Sequence, residues 1–182
     1  MSPEGVERYL VRNNRQLEHA GRISPYALFP YLRENLDVPI IAAGCISTGR
    51  QIVASLALGA ELVYMGTRFI NTKESGAVEG YQQMIIEATA TDIFYGTLTD
   101  APSNVLTPCL IRAGVTPEQI RRQDEAAILA VAERRKRWKD IWSAGHGVGV
   151  IHDVLSVEVL CDRLKAEYAA AKSDLGRLQA AE

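Results

Sequence analysis

The stretch Val38–Phe69, VPIIAAGCISTGRQIVASLALGAELVYMGTRF, decides how this chain is read, because it spells strand, glycine turn, helix, strand and glycine turn in succession. Pro39 to Ala43 is a short unbroken apolar run, as expected of a strand covered on both faces, and it stops at Gly44. From Gly49 to Leu58 the apolar residues Ile52, Val53, Leu56 and Ala57 recur at helical spacing, and Gly59 supplies a helix stop. Leu62 to Met65 reads as the next strand, which breaks at Gly66-Thr67 ahead of Arg68-Phe69. Two successive strand ends therefore deliver a glycine to the same face of a parallel sheet. With no side chain at Gly44 or Gly66, backbone N–H groups can approach an anion closely, and Thr67 adds a hydroxyl donor. Ordinary βα turns that hold no ligand are the plainer alternative.

Composition narrows the function classes without choosing among them. An apolar fraction of 47% with 23% charged residues is that of a globular domain with a substantial core. A net charge of -2 gives no electrostatic footprint for nucleic acid or an anionic membrane. The one basic run, Arg134-Arg135-Lys136-Arg137, follows Glu133 in a helical pattern and reads as a solvated helix face. No apolar run approaches the roughly 18 residues that span a bilayer, and Glu4, Glu7 and Arg8 exclude a signal-peptide core. The expectation is a cytoplasmic protein with no nucleic-acid or membrane partner. Cys45, Cys109 and Cys161 are odd in number and far apart, which argues against a disulfide framework, and no His, Cys or carboxylate set has metal-ligand spacing.

The pattern VPIIAAG-x-I-x-x-G followed by ALGAELVYMGTRF resembles the flavin-dependent nitronate monooxygenase family, formerly called 2-nitropropane dioxygenases. The likeness continues through TKESGAVEGYQQMI, APSNVLTPCLIRAGV and WKDIWSAGHGVGVI, and upstream through LVRNNRQLEHAGRISPYALFPYLREN, so it covers nearly the whole chain. The resemblance implies a (β/α)8 barrel that binds FMN. Its activity would be oxidation of an alkyl nitronate with dioxygen to a carbonyl compound and nitrite. NAD(P)H-dependent quinone reductases and flavin-dependent enoyl reductases are similar barrels and remain alternatives, as does a non-catalytic remnant or assembly fragment.

A (β/α)8 barrel takes about 250 residues, and this chain has 182, with Met1 just ahead of what resembles the sixth strand. The predicted fold is therefore α/β, the C-terminal portion of a (β/α)8 TIM barrel, about strands 6 to 8, with a C-terminal helical extension. One partial domain is expected over 1–182, with the last βα units in 5–75 and the extension and closing helices in 76–182. Tyr9–Val11 is the candidate sixth strand and Tyr26–Asn35 its helix. Further helices are predicted over Glu79–Ala90, Pro117–Lys139 and Ser156–Lys172. Three parallel strands cannot close a barrel and leave open edges. The expected partners are accordingly FMN, a small-molecule substrate, and a complementary N-terminal half or further copies of the chain.

The resemblance also distributes roles among residues. The two glycine turns match the segments that hold the FMN phosphate, which implies Gly44 and Cys45 in the first and Met65, Gly66 and Thr67 in the second. Cys45 stands where relatives often have Gly; its N–H can still donate, and its thiol is expected to pack rather than react. His19 matches the histidine of the family's Gly-Gly-His-x-Gly segment, which acts on the substrate, and a neutral imidazole suits a general base near pH 7. Leu17 and Glu18 replace both preceding glycines, a departure that would obstruct close approach of that loop to a cofactor and add a negative charge. A solvent-exposed loop histidine is the other reading of His19. His146, in Ser143-Ala144-Gly145-His146-Gly147-Val148-Gly149, stands where many relatives have Gln. It could supply a hydrogen bond near the flavin or simply belong to a structural loop. His152 is expected to be exposed.

Overall fold

The computed structural model describes residues 23–96, 103–134 and 137–179. The predicted strand at Tyr9–Val11, and His19 with its neighbours Leu17 and Glu18, lie outside the described residues.

The first part of the fold is two βα units. Helix α1 (Pro25–Asn35) starts with proline at its first turn, where the missing N–H costs nothing. It leads to β1 (Ile41–Ala43), helix α2 (Gly49–Ala57) and β2 (Leu62–Tyr64). The strands pair in parallel, Ile41 opposite Leu62 and Ala43 opposite Tyr64. Helix α2 begins where the sequence places it because Thr48 and Gln51 form a reciprocal capping box. It ends because Gly59 takes a left-handed φ of +102° that a side chain resists.

Beyond the strands come a single helical turn, α3 (Thr67–Ile70), and helix α4 (Glu79–Glu87). Helix α4 is a turn shorter than the expected Glu79–Ala90. Ala88 is extended, and Thr89 with Asp92 caps a separate 3-10 turn over Ala90–Asp92. An antiparallel pair then appears that the sequence reading does not contain, β3 (Ile93–Gly96) with β4 (Ser103–Leu106), in register Tyr95 to Asn104. Helix α5 (Thr107–Ala113) follows β4 directly and stops at Gly114, whose φ is +109°.

The single helix expected over Pro117–Lys139 is corrected to three, α6 (Pro117–Arg121), α7 (Glu125–Glu133) and α8 (Arg137–Asp140). The first break has a local cause. Gln123 adopts φ +52°, and the Asp124 carboxylate accepts from the Ala127 N–H at 3.1 Å, starting a new helix. The last helix, α9 (Val157–Gln179), runs past the expected end at Lys172. Its start is capped by Glu74, whose carboxylate accepts from the Val157 N–H at 2.9 and 3.0 Å. Among the described residues no helix is long and apolar enough to cross a membrane.

Two hydrophobic clusters hold these elements. One joins α4, the hairpin, α5 and α7 through Ile85, Leu106, Leu110, Ile128, Val148 and Ile151. The other, beneath the parallel strands, consists of Phe29, Leu32, Ile40, Ala42, Ile46 and Ala60. Helix α9 closes over α2 so tightly that a Cβ at Gly49 would lie 2.3 Å from the Tyr168 nitrogen. The opposite face of the parallel strands is open: Ile41, Leu62 and Tyr64 point away from the helices and are 57%, 58% and 69% exposed.

Candidate functional site

The glycine turns at the C-terminal ends of β1 and β2 lie side by side. Gly44 and Cys45 carry successive positive φ angles, +91° and +58°, so the backbone folds sharply as it leaves β1. Gly66 caps α3 with φ -89°, a value open to any residue. A Cβ built on Gly66 would meet nothing within 4 Å. Neither backbone conformation nor packing among the described residues therefore calls for glycine at 66; a ligand seated over the turn would. Gly147 differs, since its Cβ would come within 2.7 Å of Ser47 Oγ and 3.3 Å of the Cys45 backbone.

A third segment completes the site. The loop at 145–147 crosses both turns: the Gly145 N–H donates to Thr67 Oγ1 at 2.9 Å, and Ser47 Oγ donates to the Gly147 carbonyl at 3.0 Å. Thr67 accepts in that bond, so its own hydroxyl proton remains available to a ligand. Among the described residues no hydrogen bond takes up the backbone N–H of Cys45, Gly66 or Thr67.

The N-terminus of α2, by contrast, has partners already. The N–H groups of Ser47 and Thr48 donate to Gln51 Oε1, and that of Gly49 donates to Glu167 Oε2 at 2.7 Å. Any anion between the turns would be held by the turn amides themselves and not by this helix end.

These segments enclose a cleft of about 250 Å³. Gly44, Cys45, Gly66, Thr67 and His146, all expected from the sequence, line it. Met65 does not face it; its side chain packs against the smaller apolar cluster. His146 is exposed at the rim, and His152 is exposed and apart from the cleft. One wall is apolar, formed by Ile23, Leu28 and Phe29. Ser47, Gly147 and Asn104 also belong to the lining and were not foreseen. Ser47 could have been suspected as the hydroxyl three residues beyond the first glycine. Asn104 carried no signal, because the hairpin that delivers it was not read.

Cys45 is an exposed residue, but partial desolvation of its thiol where it meets the cleft raises the pKa above the ordinary value, with a hydrogen bond from the His146 backbone N–H acting the other way as the lesser effect. It is therefore a protonated, weakly nucleophilic group near neutral pH. Below the site, Arg68 is 3% exposed and places its guanidinium on Asp153, with 2.6 Å to Oδ1 and 3.2 Å to the backbone carbonyl. Asp153 Oδ2 accepts from Arg163 at 2.6 Å, so the turn after β2 is clamped to the chain leading into α9. Among the described residues no group of His, Cys, Asp and Glu could hold a metal ion.

Known proteins share this arrangement of sequence and fold. The family model described as nitronate monooxygenase matches residues 14–167. A probable nitronate monooxygenase of Staphylococcus haemolyticus is 31% identical over 144 residues, covering 74% of this chain and 40% of that protein. One from Staphylococcus saprophyticus is 37% identical over 91 residues, covering 47% of this chain and 26% of that protein. Among solved structures, FabK from Thermotoga maritima superposes with a TM-score of 0.68 and 27% identity, covering 90% of this chain and 54% of that one. Nitroalkane oxidase from Streptomyces ansochromogenes superposes with a TM-score of 0.63 and 28% identity, covering 84% of this chain and 46% of that one. The chain thus spans at most two-fifths of the length of these curated relatives and about half that of the solved structures. Its sequence, its fold and the match over residues 14–167 together make this chain a member of the nitronate monooxygenase family.

Proposed function

We propose that this chain is the C-terminal, phosphate-holding part of an FMN-dependent oxidoreductase of the nitronate monooxygenase type. One observation carries the reading. Two glycine turns at the ends of adjacent parallel strands present unused N–H groups to a common cleft, at a glycine that neither φ nor packing explains. The donor set fits a phosphate monoester: the N–H groups of Cys45, Gly66 and Thr67 and the hydroxyl of Thr67. The wall of Ile23, Leu28 and Phe29 suits the less polar remainder of the cofactor.

In this reading FMN supplies the redox chemistry when bound, and the protein positions it and controls protons. The turns fix the phosphate end, Arg68 and Asp153 keep the second turn in place, and His146 stands at the rim as a hydrogen-bond donor. His19 would act as general base toward an alkyl nitronate, which is oxidised with dioxygen to a carbonyl compound and nitrite. The open face of Ile41, Leu62 and Tyr64 is read as the inner face of a (β/α)8 barrel, covered by a complementary N-terminal half.

A second reading is an NAD(P)H-dependent quinone or enoyl reductase of the same barrel type. It rests on the resemblance of the sequence to those reductases. Reduction of the flavin-loaded protein by an alkyl nitronate, compared in a rapid-mixing instrument with reduction by NAD(P)H, separates the two.

The phosphate turn is tested by titrating FMN and riboflavin, followed by flavin fluorescence, against the wild type and Gly66→Val. A β-branched side chain at 66 would fill the space over the turn. FMN should bind more tightly than riboflavin to the wild type, and the variant should lose that preference. Equal binding of FMN by both proteins would remove the turn from the site.

A further inference from the structure

The cleft is lined by no Lys or Arg among the described residues. With no such side chain, an anion seated there depends on backbone N–H groups and on neutral side-chain donors. Asn104 faces the same cleft from β4, in company with Thr67, Gly145 and His146. Its backbone is fixed from two directions: Tyr95 pairs with it across the hairpin, and its carbonyl accepts from the Ala144 N–H at 3.3 Å. Ala144 immediately precedes Gly145, the residue bonded to Thr67, so β4 is tied to the second turn through a single short loop.

The side chain is otherwise unemployed. Asn104 Oδ1 is buried with no hydrogen-bond partner, and its Nδ2 takes part in no hydrogen bond among the described residues. Asn104 is half-buried; its orphaned oxygen can only accept, whereas its Nδ2, which is not among the buried orphans, is a donor left free for a ligand. The amide brings N–H donors to the cleft lining without adding charge.

We propose that Asn104 is a further cofactor-positioning residue, its side-chain Nδ2 donating a hydrogen bond to the phosphate of the flavin from the β4 part of the cleft lining. This inference rests on the FMN reading given above. It adds that the antiparallel hairpin, an element outside the βα units, contributes directly to the phosphate site. With no Lys or Arg in the cleft lining, a negative charge introduced at this position should be poorly tolerated. The amide thus selects for an anion while a carboxylate would repel it.

The test compares FMN and riboflavin affinities, followed by flavin fluorescence, for the wild type, Asn104→Ala and Asn104→Asp. Riboflavin lacks the phosphate, so it reports whether the rest of the cleft is intact. Loss of a hydrogen bond to a charged group should weaken FMN binding by about tenfold to a hundredfold in Asn104→Ala. The isosteric Asn104→Asp should weaken it further, with riboflavin affinity unchanged in both variants. FMN affinity unchanged in Asn104→Ala, with the wild type still preferring FMN to riboflavin, would overturn the role of Asn104 and leave the turns in place. Equal losses for FMN and riboflavin would overturn the phosphate contact. A wild type with no preference for FMN would sink the FMN reading and this inference with it.

Discussion

The two parts of the molecule bury their apolar residues very differently. Around the hairpin and its helices, Ile85, Leu106, Leu110, Ile128, Val148 and Ile151 are all fully buried. Among the described residues of the βα units only Ala42 reaches that state, and the outward face of the strands leaves Ile41, Leu62 and Tyr64 more than half exposed. The hairpin and helices therefore form a self-sufficient core. The βα units are a one-sided layer whose helices cover one face of the strands only. The cleft lies on the seam between them, its turns coming from the open layer and its 145–147 loop and Asn104 from the closed core. A rigid core thereby holds the wall against which the exposed turns are set.

That contrast has a direct energetic consequence. Leu110→Ala removes a fully buried side chain and should cost about 2–5 kcal/mol of folding stability, by lost transfer energy and the cavity left behind. Leu62→Ala changes a side chain that is 58% exposed and should stay within about 0.5 kcal/mol. Denaturant unfolding of both variants measures the difference. A comparable loss at Leu62 would mean that the open face is covered in solution, by a second copy or by another part of the barrel, and would break the comparison.

The seam itself should show a middle-sized effect. Asp153→Ala would strand the buried Arg68 guanidinium without its carboxylate. Because Asp153 is one-third exposed, the cost should be about 2 kcal/mol, below that of a fully buried pair. Burial alone would push Asp153 up; hydrogen bonds from Arg163 and Arg68, with their charges, outweigh it and hold the carboxyl below its ordinary 3.8. A carboxyl depressed on folding contributes its stability above the unfolded value and loses it as pH falls through the folded one. The gap in melting temperature between wild type and variant should accordingly be constant from neutral pH down to about 4 and narrow below that. A gap that is unchanged at pH 3 would show that the ion pair is not its origin.

Legibility in the sequence followed the range of the interactions. The βα units were readable because their signals are local: the Thr48 cap, the left-handed Gly59, and glycines at both strand ends. The β3–β4 hairpin was not, since each strand has four residues and its pairing depends on a partner that no local pattern names. The break at Gln123-Asp124 was hidden inside Arg121-Arg122-Gln123-Asp124-Glu125, a polar run that reads equally well as the wet face of one helix. Within the cleft, Gly44, Cys45, Gly66, Thr67 and His146 announced themselves by glycine spacing and family likeness. Asn104 depends on the unread hairpin, and Met65 alternates away from the cleft as strand geometry requires.

The smallest expected effect lies at the residue where the open layer meets the site. Cys45 holds φ +58°, a left-handed conformation that costs a side-chain-bearing residue roughly 1–2 kcal/mol. Cys45→Gly removes that strain but loosens the unfolded chain by about 0.4–1 kcal/mol, so a net stabilisation of at most about 1 kcal/mol should remain. FMN binding should survive, because the contribution proposed for this position is a backbone N–H. The thiol offers an independent check. Although the residue is exposed, partial desolvation raises its thiol pKa, so little thiolate exists at neutral pH, and alkylation by iodoacetamide at pH 7.5 should run slower than that of a free thiol. Rapid alkylation, with FMN binding lost in Cys45→Gly, would reverse the assignment. Cys45 would then be a reactive side chain on the cofactor and not the bearer of an amide.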